Sequence, residues 1–266
     1  MGEASGTSRR LMAFVVSLVL VIVGFALIVY GFARKEAHII NWGLLDVGYT
    51  YFILATGGSI IFWSVYTVLG YRGPRGELDN IVKLGLWFAI VSLMVAGITI
   101  LAELARPLDA ALLILSGFNP ASRIALDVPL ITLFLVILAV HLILTIRASG
   151  GGFGKVEVAL AILGFVVAIA LYSNLAQVHG TITAVPAWYG PHLVAYFIVG
   201  AVLLGAAGQT LFIMPFAWRD EELKTFLARF YGQIIVLGVL LLAFLTAWNV
   251  ITAWYNPSAW AAYSEI

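Results

Sequence analysis

The side chains that could do chemistry lie near the ends of long apolar segments. Asp46 and Tyr49 are three residues apart, and Tyr172 and His179 are seven residues apart. At these spacings each pair shares one face of a helix. Tyrosine, histidine and carboxyl groups can hydrogen bond a polar ligand and exchange protons with it. The pattern predicts a polar pocket that binds a polar head group and moves protons.

A wider group of polar residues falls at the same end of the predicted helices. Its members are His38, Asp46, Tyr49, Glu103, Arg106, Asp109, Asn119, Arg123, Asp127, Tyr172, Gln177, His179, Trp188 and His192. A charged side chain at the centre of a bilayer costs roughly 2.5–3.5 kcal/mol on insertion scales. Glu103 and Arg106 could form an interfacial ion pair without further function. Because the whole group is one-sided, we expect a pocket at one membrane boundary.

The composition places these residues in a membrane protein. Of the 266 residues, 63% are hydrophobic and 10% are charged, whereas a soluble domain is roughly half apolar and about a quarter charged. Cysteine is absent, so the chain holds no disulfide and no cysteine-bound iron–sulfur cluster. The net charge of +1 excludes the basic footprint of a nucleic-acid binder. The fold class expected is an all-α integral membrane protein in contact with the lipid bilayer.

Seven segments are long and apolar enough to span a membrane as helices. They are Leu11–Ala33, Asp46–Gly70, Lys83–Arg106, Ile124–Ile146, Val158–Val178, Pro191–Trp218 and Phe230–Tyr255. Gly57 and Gly58 in the second segment predict close helix packing by small residues. We expect an extra helix in residues 1–40, a four-helix bundle of the second to fifth spans in residues 41–190, and two further spans in residues 191–266.

The cationic residues predict the orientation of these spans. Ten lie on one side, namely Arg9, Arg10, Arg72, Arg75, Lys83, Arg147, Lys155, Arg219, Lys224 and Arg229. Four lie on the other, namely Arg34, Lys35, Arg106 and Arg123. The positive-inside rule then places the N-terminus in the cytoplasm and the C-terminus outside the plasma membrane. The polar group lies at the outer boundary.

Four short motifs lie along about residues 42–190. They are Trp42-Gly43-Leu44-Leu45-Asp46-Val47-Gly48-Tyr49 with Gly57-Gly58, Glu103-Leu104-Ala105-Arg106-Pro107, Phe118-Asn119-Pro120-Ala121-Ser122, and Tyr172 followed by Pro186-x-Trp188. These motifs resemble those of the NrfD/PsrC family, the membrane subunits of polysulfide-reductase-type complexes, and they occur in the family's order.

The resemblance implies a quinone-reactive membrane anchor of a respiratory oxidoreductase. Such a subunit contains no haem and no iron–sulfur cluster. It exchanges electrons between a quinone, for which we expect the menaquinone type, and an exported iron–sulfur subunit that serves a molybdopterin catalytic subunit on the outer side. Protons are taken up or released on that side.

The expected site residues fall into three groups, by the resemblance and by their chemistry. The quinone-binding group is Asp46, Tyr49, Tyr172 and His179. The proton relay is Asp46, Glu103 and Arg106. Arg123 and Trp188 lie in outer loops and are assigned to partner docking, and no metal site is expected.

Two other functions fit parts of the sequence. A haem-b quinol-reactive anchor would use His179 or His192 as axial ligands. A transporter of protons or small solutes is the second alternative. Transporters bind their substrates near the middle of the membrane, whereas the polar residues here lie at one end.

Overall fold

Helices are the only regular secondary structure in the described part of the chain. The computed structural model describes residues 44–69, 78–103, 118–147, 154–182, 189–217 and 220–255, together with the isolated positions 19, 23 and 26. Six helices fill the six ranges: α1 (Leu44–Leu69), α2 (Leu78–Glu103), α3 (Arg123–Arg147), α4 (Lys155–Gly180), α5 (His192–Ala217) and α6 (Glu221–Trp254). The predicted first span, Leu11–Ala33, lies outside the described residues apart from those isolated positions.

Helices α2 to α6 are each long and apolar enough to cross a membrane. Helix α1 has 26 residues, which at 1.5 Å per residue gives a length of about 39 Å, more than the hydrocarbon core requires. Asp46, in its first turn, is its one charged residue. The chain is therefore a multi-pass membrane protein, as the composition predicted.

Helices α1 to α4 form a closed ring. Helix α1 contacts α2, α2 contacts α3, α3 contacts α4, and α4 contacts α1. Helix α5 packs against α1 and α4, and α6 packs against α5. Ile53, Leu86, Leu138 and Leu171 contribute one buried side chain from each helix of the ring. The start of α1, the end of α4 and the start of α5 lie together at one end, which we call the Asp46 end.

Two adjacent glycines let α1 approach two neighbours closely. A Cβ atom on Gly57 would overlap the ring and hydroxyl of Tyr172 on α4. A Cβ atom on Gly58 would overlap the carbonyl oxygen of Ala201 on α5 and lie 2.8 Å from the Cα atom of Gly205. Small residues allow such backbone approach in membrane helices. The packing role predicted for this glycine pair is confirmed.

Helix α6 begins earlier than the sequence predicted. The predicted span started at Phe230, whereas the helix starts at Glu221. Its N-cap, Asp220, accepts hydrogen bonds from the backbone N–H groups of Glu222 at 3.1 Å and Leu223 at 3.0 Å. The negative charge of the Asp220 carboxylate also interacts favourably with the positive end of the helix dipole. The predicted span was placed from the apolar segment alone. It therefore left out the first turns of the helix, in which charged and apolar residues are mixed.

Candidate functional site

The Asp46 end holds an acid–imidazole pair between α1 and α4. His179 Nε2 lies 3.8 Å from Asp46 Oδ2, while His179 Nδ1 lies 3.1 Å from the carbonyl oxygen of Leu175. A carbonyl oxygen only accepts, so Nδ1 carries a hydrogen. If Nε2 is also protonated, a positive imidazolium lies beside the Asp46 carboxylate. If Asp46 is protonated instead, its O–H group lies beside the basic Nε2 atom. Either state makes the contact favourable. The Nε2–Oδ2 distance of 3.8 Å brings an acid and a base together at this end of the bundle.

A cavity of about 420 Å³ lies beside this pair, between α1, α4 and α5. Its lining residues are Asp46, Val47, Thr50, Tyr51, Leu54, His179, Leu193, Phe197 and Leu204. Most of these side chains are apolar. Val47 and Tyr51 are exposed at the outside of the bundle, so the cavity lies next to the outer surface of the helices. Its volume lies in the range of about 300–1,000 Å³ typical of small-molecule sites.

Thr50 contributes an unused hydroxyl group to the cavity wall. Eight described threonines donate their hydroxyl group to the carbonyl four residues earlier in the chain, as Thr56 does to Phe52 at 2.9 Å. The buried Thr50 Oγ1 has no hydrogen-bond partner within the part of the chain that the structure describes. A buried hydroxyl group without a partner costs about 1–3 kcal/mol. Thr50 lines the cavity while its Oγ1 atom is itself buried, so a ligand in the cavity reaches this hydroxyl group after rotation of the Thr50 side chain about χ1.

Behind the cavity, α3 and α4 share a buried polar contact. Asn174 Nδ2 donates to Asp127 Oδ1 at 2.7 Å and to the main-chain carbonyl of Arg123 at 2.7 Å. Asp127 interacts electrostatically with His179 and with Tyr49. Groups from α1, α3 and α4 are thereby brought into one electrostatic cluster, in keeping with the one-sided polar group seen in the sequence.

The two tyrosines assigned to ligand binding lie inside the bundle. Tyr172 is fully buried, and its hydroxyl group donates to the carbonyl oxygen of Ile53 at 3.1 Å. Tyr49 is buried as well and lies close to both Asp46 and Asp127. Neither side chain lines the cavity, whereas Asp46 and His179 do. The direct head-group contacts predicted for the tyrosines remain predictions, and Thr50 is a further residue of the cavity wall.

The remaining predicted residues are only partly described. Glu103 is the last residue of α2, and the position of its side chain lies outside the description. Arg106 and Trp188 lie outside the described residues. Arg123 begins α3 with an exposed side chain. Among the described residues, no group of three or more histidines, aspartates and glutamates could hold a metal ion.

Sequence reasoning missed Thr50 and Asn174. Thr50 follows Asp46 by four residues, a spacing that also places both on one helix face, so a signal existed. Asn174 is an amide within an apolar helix, where a buried polar group needs a partner. Its partner Asp127 was recognised as part of the polar group, without a role.

Comparison with known proteins adds the family. The model of the polysulphide reductase family NrfD matches residues 33–264. The chain belongs to the NrfD family. The NrfD match extends beyond the predicted range of residues 42–190 and includes all six described helices. A comparison with curated proteins finds no match. Membership of the NrfD family makes the chain a membrane subunit of the kind found in polysulfide-reductase-like complexes.

Proposed function

We propose that the chain is the quinone-reactive membrane subunit of an oxidoreductase complex. It exchanges electrons between the quinone pool and an exported iron–sulfur partner, which serves a molybdopterin catalytic subunit. The observation that carries the proposal is the cavity at the Asp46 end, where apolar walls next to the outer surface of the helices meet the His179–Asp46 pair and the unused Thr50 hydroxyl group.

The cavity matches the chemistry of a quinone head group. A quinone ring is flat and apolar, and its carbonyl oxygens accept hydrogen bonds. A protonated His179 Nε2, and Thr50 Oγ1 after rotation of its side chain about χ1, are the donors in this proposal. Leu54, Leu193 and Phe197 provide apolar contact for the ring. The exposed flank at Val47 and Tyr51 gives an isoprenoid tail a route into lipid.

Proton balance fits the acid–imidazole pair. Oxidation of a quinol to a quinone releases two electrons and two protons. The electrons pass to the iron–sulfur centre of the partner. His179 accepts a proton from one hydroxyl group and passes it to Asp46, and the same pair serves the second proton after the first has left. General acid–base transfer by positioned side chains of this kind typically contributes about 10²–10⁴-fold in rate.

The outer boundary completes the proposed pathway. Glu103 and Arg106 continue the proton relay from Asp46 toward the outer aqueous phase, and Arg123 and Trp188 contribute to docking of the partner. Tyr49 and Tyr172 form the layer behind Asp46 and His179 and hold α1 and α4 in register. The N-terminus lies in the cytoplasm, so that the Asp46 end faces the exported subunits.

The haem-b alternative fits His179 poorly. An axial ligand needs one imidazole nitrogen for the iron. Nδ1 of His179 contacts the Leu175 carbonyl, and Nε2 faces the Asp46 carboxyl group. The Nδ1 contact is compatible with iron ligation, because a metal-bound histidine usually donates its other N–H group to an acceptor of this kind. Haem ligation is disfavoured at Nε2, which has the Asp46 carboxyl group 3.8 Å away.

Purification in mild detergent tests the proposal in two steps. The proteins that co-purify should include an iron–sulfur protein. The intact complex should oxidise a short-tailed naphthoquinol and reduce that partner. Absence of naphthoquinol binding, together with proton or solute transport by the chain alone in vesicles, would replace the proposal by the transporter alternative.

Replacing Thr50 with valine should weaken naphthoquinone binding about fivefold, because one hydrogen bond of about 1 kcal/mol is lost. The measurement is an equilibrium titration of the purified complex. Thr50→Ser keeps the hydroxyl group and should restore affinity. Thr132→Val is the control, since Thr132 is exposed on α3 and donates to the carbonyl of Val128. Equal affinity in the Thr50→Val and wild-type complexes would remove Thr50 from the site.

A further inference from the structure

A second pair of titratable side chains is buried at the other end of the α3–α4 contact. His141 on α3 is 2% exposed, and Glu157 on α4 is 5% exposed. The two side chains interact electrostatically. Neither belongs to the cavity beside Asp46. Ionisable groups inside membrane helices are expensive to keep there, and by default they indicate function.

Both side chains carry an atom without a partner. Within the described ranges, His141 Nε2 and Glu157 Oε1 form no hydrogen bond. The other carboxylate oxygen, Glu157 Oε2, accepts from the backbone N–H group of Gly154 at 2.7 Å. Glu157 Oε2 therefore caps the start of α4, whereas Oε1 accepts no hydrogen bond within the described ranges. A water molecule between the imidazole and the carboxyl group would satisfy both orphan atoms.

This pair is isolated from the Asp46 end by an apolar layer. Asp127 and His141 are fourteen residues apart on α3, a rise of about 21 Å. Phe134, Ile137 and Leu138 lie between them and are all buried. On the other side, Glu157 is in the first turn of α4, next to the exposed Gly154 and Lys155. The nearer aqueous phase is therefore the one opposite Asp46.

We propose that His141 and Glu157 bind a water molecule and share one exchangeable proton, taken from the aqueous phase opposite the Asp46 end. The other ionisable side chains described at this end of α1 to α5 are Lys83, Arg147 and Lys155. Arg147 and Lys155 are exposed and Lys83 is half-buried, so His141 and Glu157 are the buried ionisable side chains described at this end of the α3–α4 contact. The site is independent of the proposed quinone chemistry.

Infrared difference spectroscopy on the full chain tests this proton site. The chain is placed in vesicles in one orientation, with its glutamates labelled at the side-chain carboxyl carbon, and pH is changed on one side at a time. The labelled carboxyl band of Glu157 is identified by its loss in Glu157→Gln. We expect this band to respond to pH on the side opposite Asp46. In His141→Gln we expect its titration midpoint to move by about one pH unit or more, equal to a tenfold change in proton affinity.

Glu221→Gln is the matched control, because Glu221 is exposed at the start of α6. The band that this substitution removes should titrate identically with and without His141→Gln. Glu157→Asp and His141→Asn replace any glutamine variant that does not fold, judged by gel filtration. The proposal is overturned if the titration midpoint of the Glu157 band is the same with and without the His141 substitution. It is also overturned if the band responds only to pH on the Asp46 side, or if no Glu157 band is found at any pH.

Discussion

Replacing His179 with glutamine should lower quinol turnover by about a hundredfold or more, with little change in quinol affinity. The loss is expected because glutamine can hydrogen bond the head group and cannot accept its proton. Asp46→Asn should have a comparable effect, since it leaves His179 Nε2 facing a neutral amide instead of the carboxyl group that lies 3.8 Å away. Steady-state kinetics of the intact complex separates the fall in kcat from any change in KM.

A third substitution at the same end gives the control for this experiment. His192 begins α5 and does not line the cavity, so His192→Gln should leave turnover within about twofold of wild type. The double variant Asp46→Asn with His179→Gln should be no worse than the poorer single variant, because the two groups act on one proton. Unchanged turnover in both single variants would remove this pair from the site.

The sequence identifies candidate site residues, but it does not show which helices are neighbours. Asp46 and His179 were recognisable because both are polar groups at the same ends of apolar spans. Their contact required α1 and α4 to be neighbours in the ring, which no residue spacing within one helix reveals. The sequence therefore predicted both residues as members of a site, and the structure shows that they lie close together.

Tyr49 and Thr50 show the limit of spacing arguments most clearly. Residues three and four positions after Asp46 both share its helix face, yet adjacent residues point about 100° apart around the helix. In the structure Thr50 lines the cavity and Tyr49 is buried. Deciding between them required the position of α5, which forms the other cavity wall. Hydropathy could not supply that position, because α5 is apolar on every side.

Replacing Gly58 with alanine should lower the free energy of unfolding by about 1–3 kcal/mol, the usual cost of overpacking. The new methyl group would overlap the carbonyl oxygen of Ala201. That oxygen belongs to a helix backbone, so relief requires movement of α1 away from α5 and not merely a change of rotamer. Thermal unfolding of the purified chain in detergent measures the change.

Gly200→Ala makes the same chemical change beside the contact and serves as its control. A Cβ atom on Gly200 has no neighbour within 4 Å, so this variant should gain up to about 1 kcal/mol from helix propensity alone. The two glycine variants should therefore shift the unfolding temperature in opposite directions. A Gly58→Ala chain as stable as Gly200→Ala would show that α1 and α5 can separate freely.

The same displacement should also reach the proposed ligand site. Leu54 precedes Gly58 by one helical turn, Leu204 follows Ala201 by three residues, and both leucines line the cavity. Separation of α1 from α5 at Gly58 moves these two walls apart, so naphthoquinone affinity should fall in Gly58→Ala and stay unchanged in Gly200→Ala. Because Gly58 contacts neither Asp46 nor His179, a combined loss of stability and affinity would identify the α1–α5 contact as the element that sets the width of the cavity.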